Sequence, residues 1–136
     1  MTNKNQVLIV EDNVIMSENF DRLLKNEFNV SIARSAEEAM DKINQKIPDF
    51  MVVDVLLTGH SIFALLNELQ SYPDTAEILT VICSDLADEL DPEVLDRYNI
   101  RKVLNKSQMR PIDLVNNLRR LKHEAKENFS HNFETN

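Results

Sequence analysis

Five times along this chain, a short apolar run of strand length is followed by a stretch with helical spacing. Gln6–Val10 precedes Met16, Phe20, Leu23 and Leu24, which share one helix face. Phe28–Ala33 alternates like a half-exposed strand. Behind it, Ser35 and Glu38 form a capping box for a helix carrying Ala36, Ala39, Met40 and Ile43. Pro48 and Asp49 break the chain before Phe50–Asp54. The helix expected next spans 61–72 on Ile62, Leu65, Leu66 and Leu69, with Pro73 as its stop. Ile78–Cys83 is the fourth strand. Asp91 and Pro92 cap and open a helix to Tyr98, while 86–90 fits either helix or loop. Ile100–Leu104 is a weaker fifth strand. Pro111 opens the last helix, with Leu114, Leu118, Leu121 and Ala125 on one face.

Strands that alternate with helices imply a parallel sheet covered on both faces. Right-handed crossovers leave few topologies. The two nearly continuous apolar strands, 50–53 and 78–83, belong in the centre. The fold expected is α/β: a doubly wound five-stranded parallel sheet in the flavodoxin-like order 2-1-3-4-5. One domain is expected over 1–127, followed by a polar tail, 128–136, that frays.

The chain has 136 residues and a single glycine, Gly59. A dinucleotide fingerprint needs three glycines and a P-loop two, so neither can be present. One cysteine, Cys83, allows no internal disulfide and reads as a small buried hydrophobe. The formal charge of −8 repels nucleic-acid phosphates, so no nucleic-acid partner is expected. Cations and basic protein surfaces suit it better. No apolar run approaches membrane-spanning length, and MTNKNQ has no apolar signal core. A cytoplasmic location is the default expectation.

In a sheet of that order, ligands bind at the carboxyl edge beside strands 1 and 3. Strand 1 runs into Glu11 and Asp12, and strand 3 ends on Asp54. Neighbouring strands lie about 4.8 Å apart. Three carboxylates should therefore converge, and such crowding makes sense around a cation. Hard oxygen donors suit Mg²⁺, which keeps several waters for itself. Ser84 follows strand 4 and Lys106 follows strand 5. A hydroxyl and an ammonium there suit the oxygens of a phosphoryl group carried on Asp54 as an acyl phosphate.

The ordered set of Glu11 and Asp12 in LIVEDN, Asp54 in MVVD, Ser84 in ILTVICSD and Lys106 in VLNK resembles the receiver domain of two-component response regulators. The likeness runs from Val7 to about Leu121. The resemblance implies that Asp54 accepts phosphate from a histidine kinase or phosphotransfer protein. It implies Mg²⁺ held by Asp12, Asp54 and the backbone carbonyl of Leu56, with Glu11 assisting. It implies that Ser84 and Lys106 engage the phosphoryl group and that a downstream protein reads the change. Five positions depart from the family pattern: Thr58 for proline, Ile62 for glycine, Asp85 for a small residue, Val103 for an aromatic, and Ser107 for proline. The isomer of the Lys106–Ser107 bond is left open. Asp85 would oppose a dianionic phosphate unless it points away.

Taken singly, each site residue has a plainer reading. Asp12 fits an N-cap, Asp54 a loop carboxylate, Glu11 and Lys106 solvated surface groups, and Ser84 a turn hydroxyl. Joint placement at one edge favours the functional reading. His60, His123 and His131 lack metal-ligand spacing, and Arg119, Arg120, Lys122 and Lys126 read as a solvated helix face or a docking patch. The chain reads as a non-enzymatic, single-domain receiver, with no room for a DNA-binding module after about Glu127. The alternative is a pseudo-receiver that binds partners without phosphorylation. A dehalogenase-type phosphatase would need an Asp where Leu56 stands, and a flavin binder would meet acidic groups at its phosphate loop.

Overall fold

A computed structural model describes residues 4–57 and 60–134. Strands β1 (Asn5–Val10), β2 (Phe28–Ala33) and β3 (Phe50–Val53) are separated by helices α1 (Val14–Leu24) and α2 (Ala36–Gln45). A two-residue hairpin, β4 (Leu56–Leu57) with β5 (His60–Ser61), then leads to α3 (Phe63–Gln70) and the single turn α4 (Pro73–Ala76). Strand β6 (Leu79–Ser84), a 3₁₀ turn (Ala87–Glu89), α5 (Pro92–Arg97), β7 (Ile100–Asn105) and α6 (Pro111–Glu134) complete the chain.

The five long strands form one parallel sheet in the order β2-β1-β3-β6-β7. Counting these strands alone, this is the expected 2-1-3-4-5. Strand alternation explains the two cores. Leu8, Val10, Met51, Val53 and Ile82 face α2 and α3. Val7, Ile9, Phe50, Val52, Val81 and Cys83 face α1 and α6. All four residues of β3 are buried, as a central parallel strand requires. Edge strand β2 alternates more buried with exposed positions, whereas in β7 a register shift at Arg101 puts two exposed residues, Arg101 and Lys102, in succession.

Several boundaries differ from the sequence reading, each for a local reason. The third strand stops at Val53, so Asp54 is the first residue of the turn. Ser61 belongs to the hairpin, and α3 starts at Phe63. Buried Ile62 still packs with the α3 leucines. Pro73 does not merely stop a helix; it opens α4 at the first helical position, where its missing N–H is harmless. Residues 87–89 form the 3₁₀ turn. Leu23 and Ala125 are exposed rather than facing the core. The backbone of α6 runs unbroken past residue 127 to Glu134, because polar residues there include no helix breaker. Asn99, at φ 57, makes the left-handed turn into β7, and its Nδ2 donates to the Ile78 carbonyl at 3.0 Å.

Candidate functional site

The carboxyl edge of β1, β3, β6 and β7 is where the charged residues gather. Ladder bonds continue just past the strands and fix their direction. Glu11 N–H donates to the Ala33 carbonyl at 3.0 Å, and Asp54 N–H donates to the Val10 carbonyl at 3.3 Å. Lys106 N–H donates to the Ser84 carbonyl at 3.1 Å. Backbone bonds thus tie three of the site residues to neighbouring strands.

Lys106 is the centre of the arrangement. Its Nζ lies 2.5 Å from Glu11 Oε1 and 2.7 Å from Asp54 Oδ2. The three side chains are only 13%, 4% and 12% exposed, so this is a buried ion triad and not a surface pair. Glu11 Oε2 also accepts from Asn13 N–H at 3.0 Å. Burial pushes the Glu11 carboxyl above its ordinary range, and the bonds from Lys106 and Asn13 offset this only in part. Burial alone would lower the Lys106 ammonium, but hydrogen bonds to Asp54 and Glu11 outweigh it and raise it. The surface reading of Glu11 and Lys106 is thereby overturned.

Asp12 behaves differently from its neighbour. It is exposed, and the N-cap of α1 is Asn13, whose side chain accepts from Met16 N–H at 2.9 Å. The capping reading of Asp12 is therefore corrected by one residue. Of the three carboxylates expected to converge, Glu11 and Asp54 meet on Lys106. Among the described residues, no three acidic, thiol or imidazole groups gather to hold a metal. The single Lys106 ammonium bridges the Glu11 and Asp54 carboxylates and offsets one of their two formal charges. Mg²⁺ needs only one or two carboxylates besides water, and the hard oxygens of Glu11, Asp54 and neighbouring Asp12 fit that need.

Ser84 is buried at the end of β6, and its Oγ accepts from Leu86 N–H at 3.1 Å. One residue on, Asp85 is exposed and accepts from Ser107 Oγ at 2.7 Å. The sequence marks both positions as unusual but does not reveal that they meet. Arg34 was likewise missed: its guanidinium donates to buried Ser17 Oγ at 2.9 Å and ties the end of β2 to α1. Among the described residues no peptide bond is cis, so Lys106–Ser107 is trans. Leu56 lies in β4, and Thr58 and Gly59 fall outside the described residues.

Cys83 lies on the α1–α6 face just before Ser84, and burial pushes its thiol up to about 12. The thiol form is therefore favoured by folding, from an ordinary value of 9.0. That contribution to stability is whole below pH 9 and is lost as pH rises towards 12. Alkylation by iodoacetamide at pH 8 should consequently follow global unfolding. The expected result is negligible labelling in buffer and rapid labelling in denaturing urea, read by intact mass.

Comparison with known proteins gives a consistent result. Residues 7–119 match the family described as the response regulator receiver domain. No curated protein matches. A CheY-like response regulator receiver domain from Methylobacillus flagellatus superposes with a TM-score of 0.73 at 24% identity, covering 86% of this chain and 98% of its own. The receiver domain of a signal transduction histidine kinase from Syntrophus aciditrophicus gives 0.69 at 24% identity, with 86% and 89% covered. The Mn²⁺-bound form of response regulator Rcp1 gives 0.63 at 22% identity, with 77% and 83% covered.

Proposed function

Because this chain belongs to the response regulator receiver domain family, we propose that it accepts a phosphoryl group on Asp54 and signals by docking on another protein. The observation that carries the reading is the Lys106 ammonium, 2.7 Å from Asp54 Oδ2 and 2.5 Å from Glu11 at the carboxyl edge of the sheet. A receiver in two-component signalling is a signalling module rather than an enzyme. The donor is a phosphohistidine on a sensor histidine kinase or phosphotransfer protein. An Asp54 carboxylate oxygen forms the new bond to phosphorus. The phosphorus–nitrogen bond breaks, its electron pair leaves on the imidazole, and the imidazole takes up a proton.

Two negative partners approach each other in that step, so charge compensation decides the rate. Lys106 would supply it from this chain, its ammonium lying 2.7 Å from Asp54 Oδ2. Ser84 would exchange its bond from Leu86 N–H for one donated to a phosphoryl oxygen. Glu11, Asp12 and Asp54, with the Leu56 carbonyl, would hold Mg²⁺. When bound, that ion supplies positive charge to the phosphoryl oxygens.

A concavity of about 540 Å³ beside β7 is lined by Val103, Asn105, Gln108, Met109, Asp113 and Asn117. It is a candidate docking place for the downstream protein. Among the described residues, no helix is long and apolar enough to cross a membrane, in keeping with a cytoplasmic setting. The test is a mass measurement. With Mg²⁺ and acetyl phosphate, the protein should gain one phosphoryl mass, and Asp54→Asn should gain none. A wild-type mass that never changes, or an equal gain in Asp54→Asn, rejects the reading. The pseudo-receiver alternative draws on the Asp85–Ser107 bond, which occupies two atypical positions next to Ser84 and Lys106. Partner binding unchanged by Asp54→Ala would favour it.

A further inference from the structure

The Asp85–Ser107 bond joins the two loops that deliver Ser84 and Lys106. Asp85 follows buried Ser84 on the opposite side of the chain and is exposed. Lys106 turns its ammonium inward to Glu11 and Asp54, while Asp85 takes its proton donor from the next residue, Ser107, at 2.7 Å. The loop around Ser107 is braced as well. Asn105 Oδ1 accepts from Ser107 N–H at 2.9 Å, and Asn105 Nδ2 donates to Asp88 at 3.4 Å. Lys106 N–H donates to the Ser84 carbonyl. Every link crosses between, or lies within, the β6 and β7 loops.

A carboxylate beside Ser84 is a hazard for phosphoryl chemistry. A phosphoryl group on Asp54 brings close to two negative charges. Asp85 swung towards it would repel the incoming donor and compete for Lys106. We infer that Ser107 is a positioning residue whose hydroxyl holds the Asp85 carboxylate away from the acidic pocket, making an otherwise adverse residue compatible with phosphorylation. The inference rests on Asp54 being the phosphate acceptor. It explains why two departures from the family pattern occur together: each supplies half of one hydrogen bond.

The test follows the rate of phosphorylation by acetyl phosphate with Mg²⁺, read by intact mass on the whole chain. Ser107→Ala should slow it about five-fold, the scale of one lost hydrogen bond. Ser107→Thr keeps the hydroxyl and should keep the rate. Combining Ser107→Ala with Asp85→Asn removes the charge that no longer has a restraint and should return the rate to wild type. A merely structural role for Ser107 would leave the combined variant as slow as Ser107→Ala, and that result overturns the inference. A Ser107→Ala rate equal to wild type also overturns it. A wild-type protein that takes up no phosphate rejects the acceptor reading instead. The clamp is then read by amide hydrogen exchange on the unmodified chain. Ser107→Ala should speed exchange at Leu86 and Ser107, and unchanged protection at both overturns the inference.

Discussion

Lys106→Met is expected to destabilise the metal-free protein by about 2–4 kcal/mol at neutral pH, lowering the melting temperature by about 10 °C. The substitution keeps most of the aliphatic stem and removes only the charge. Glu11 and Asp54 then face each other without the ammonium that lies 2.5 and 2.7 Å from them. Breaking a buried ion pair from one side leaves an uncompensated charge, which is the costly way to break it. The upper part of the usual range is discounted because Asp54 and Lys106 keep some contact with water. Glu11 sets the pH dependence. Its carboxyl is already raised by burial, and loss of Lys106 raises it further. A raised carboxyl lends stability that is complete below its ordinary value of 4.5 and lost as pH climbs through the folded value. The deficit should therefore be small near pH 4.5 and widen towards neutrality. Adding Glu11→Gln should recover most of the loss, and Mg²⁺ should recover part of it. Urea titrations across this pH range decide the matter. A deficit that ignores both pH and Glu11→Gln would mean the triad contributes little.

The physical signals that made the sheet readable are strong and local. Four consecutive apolar residues at Phe50–Val53, bounded by Pro48 and Asp49 before and Asp54 after, suit a short strand covered on both faces, and β3 is one. The alternation in Phe28–Ala33 marks an edge strand, and β2 is an edge. Punctuation was harder to read. Asp12 and Asn13 are both good caps, and only backbone geometry selects Asn13. Proline both ends and begins helices, so Pro73 alone cannot tell the end of α3 from the start of α4. The apolar run Val55–Leu57 hides a hairpin because two-residue strands carry no period to detect.

At the site, strand order placed Glu11, Asp54, Ser84 and Lys106 at one edge from sequence alone. Which charges would touch was not legible. Glu11, Asp54 and Lys106 come from three strand ends far apart in the chain, and each was ordinary by itself. The Asp85–Ser107 bond was hidden for the same reason. Two odd residues in separate loops become one feature only when β6 and β7 lie side by side. Identity along the chain predicts where groups arrive; pairing among them is decided by side-chain reach and burial.

Phe50→Ala is expected to remove about 3–5 kcal/mol of stability, a large share of what an ordinary domain possesses. Phe50 is 1% exposed and sits at the start of β3, in register with Val7 on one side and Leu79 on the other. Its ring meets Phe28 edge-on at 6.0 Å, a contact worth about 1 kcal/mol beyond the area it buries. Truncation leaves a cavity within the core on the α1–α6 face, and a packed core relaxes into such a cavity only in part. The urea midpoint should fall with little change in slope, because the same surface is exposed on unfolding. The variant also separates stability from chemistry. Asp54 hangs from the other end of β3, where Val53 is held between Val10 and Ile82. The folded fraction should therefore take phosphate from acetyl phosphate at nearly the wild-type rate. A rate that collapses while the protein remains folded would show that β3 transmits packing defects to its carboxyl end, and that the position of Asp54 depends on the whole strand rather than on its last ladder bonds.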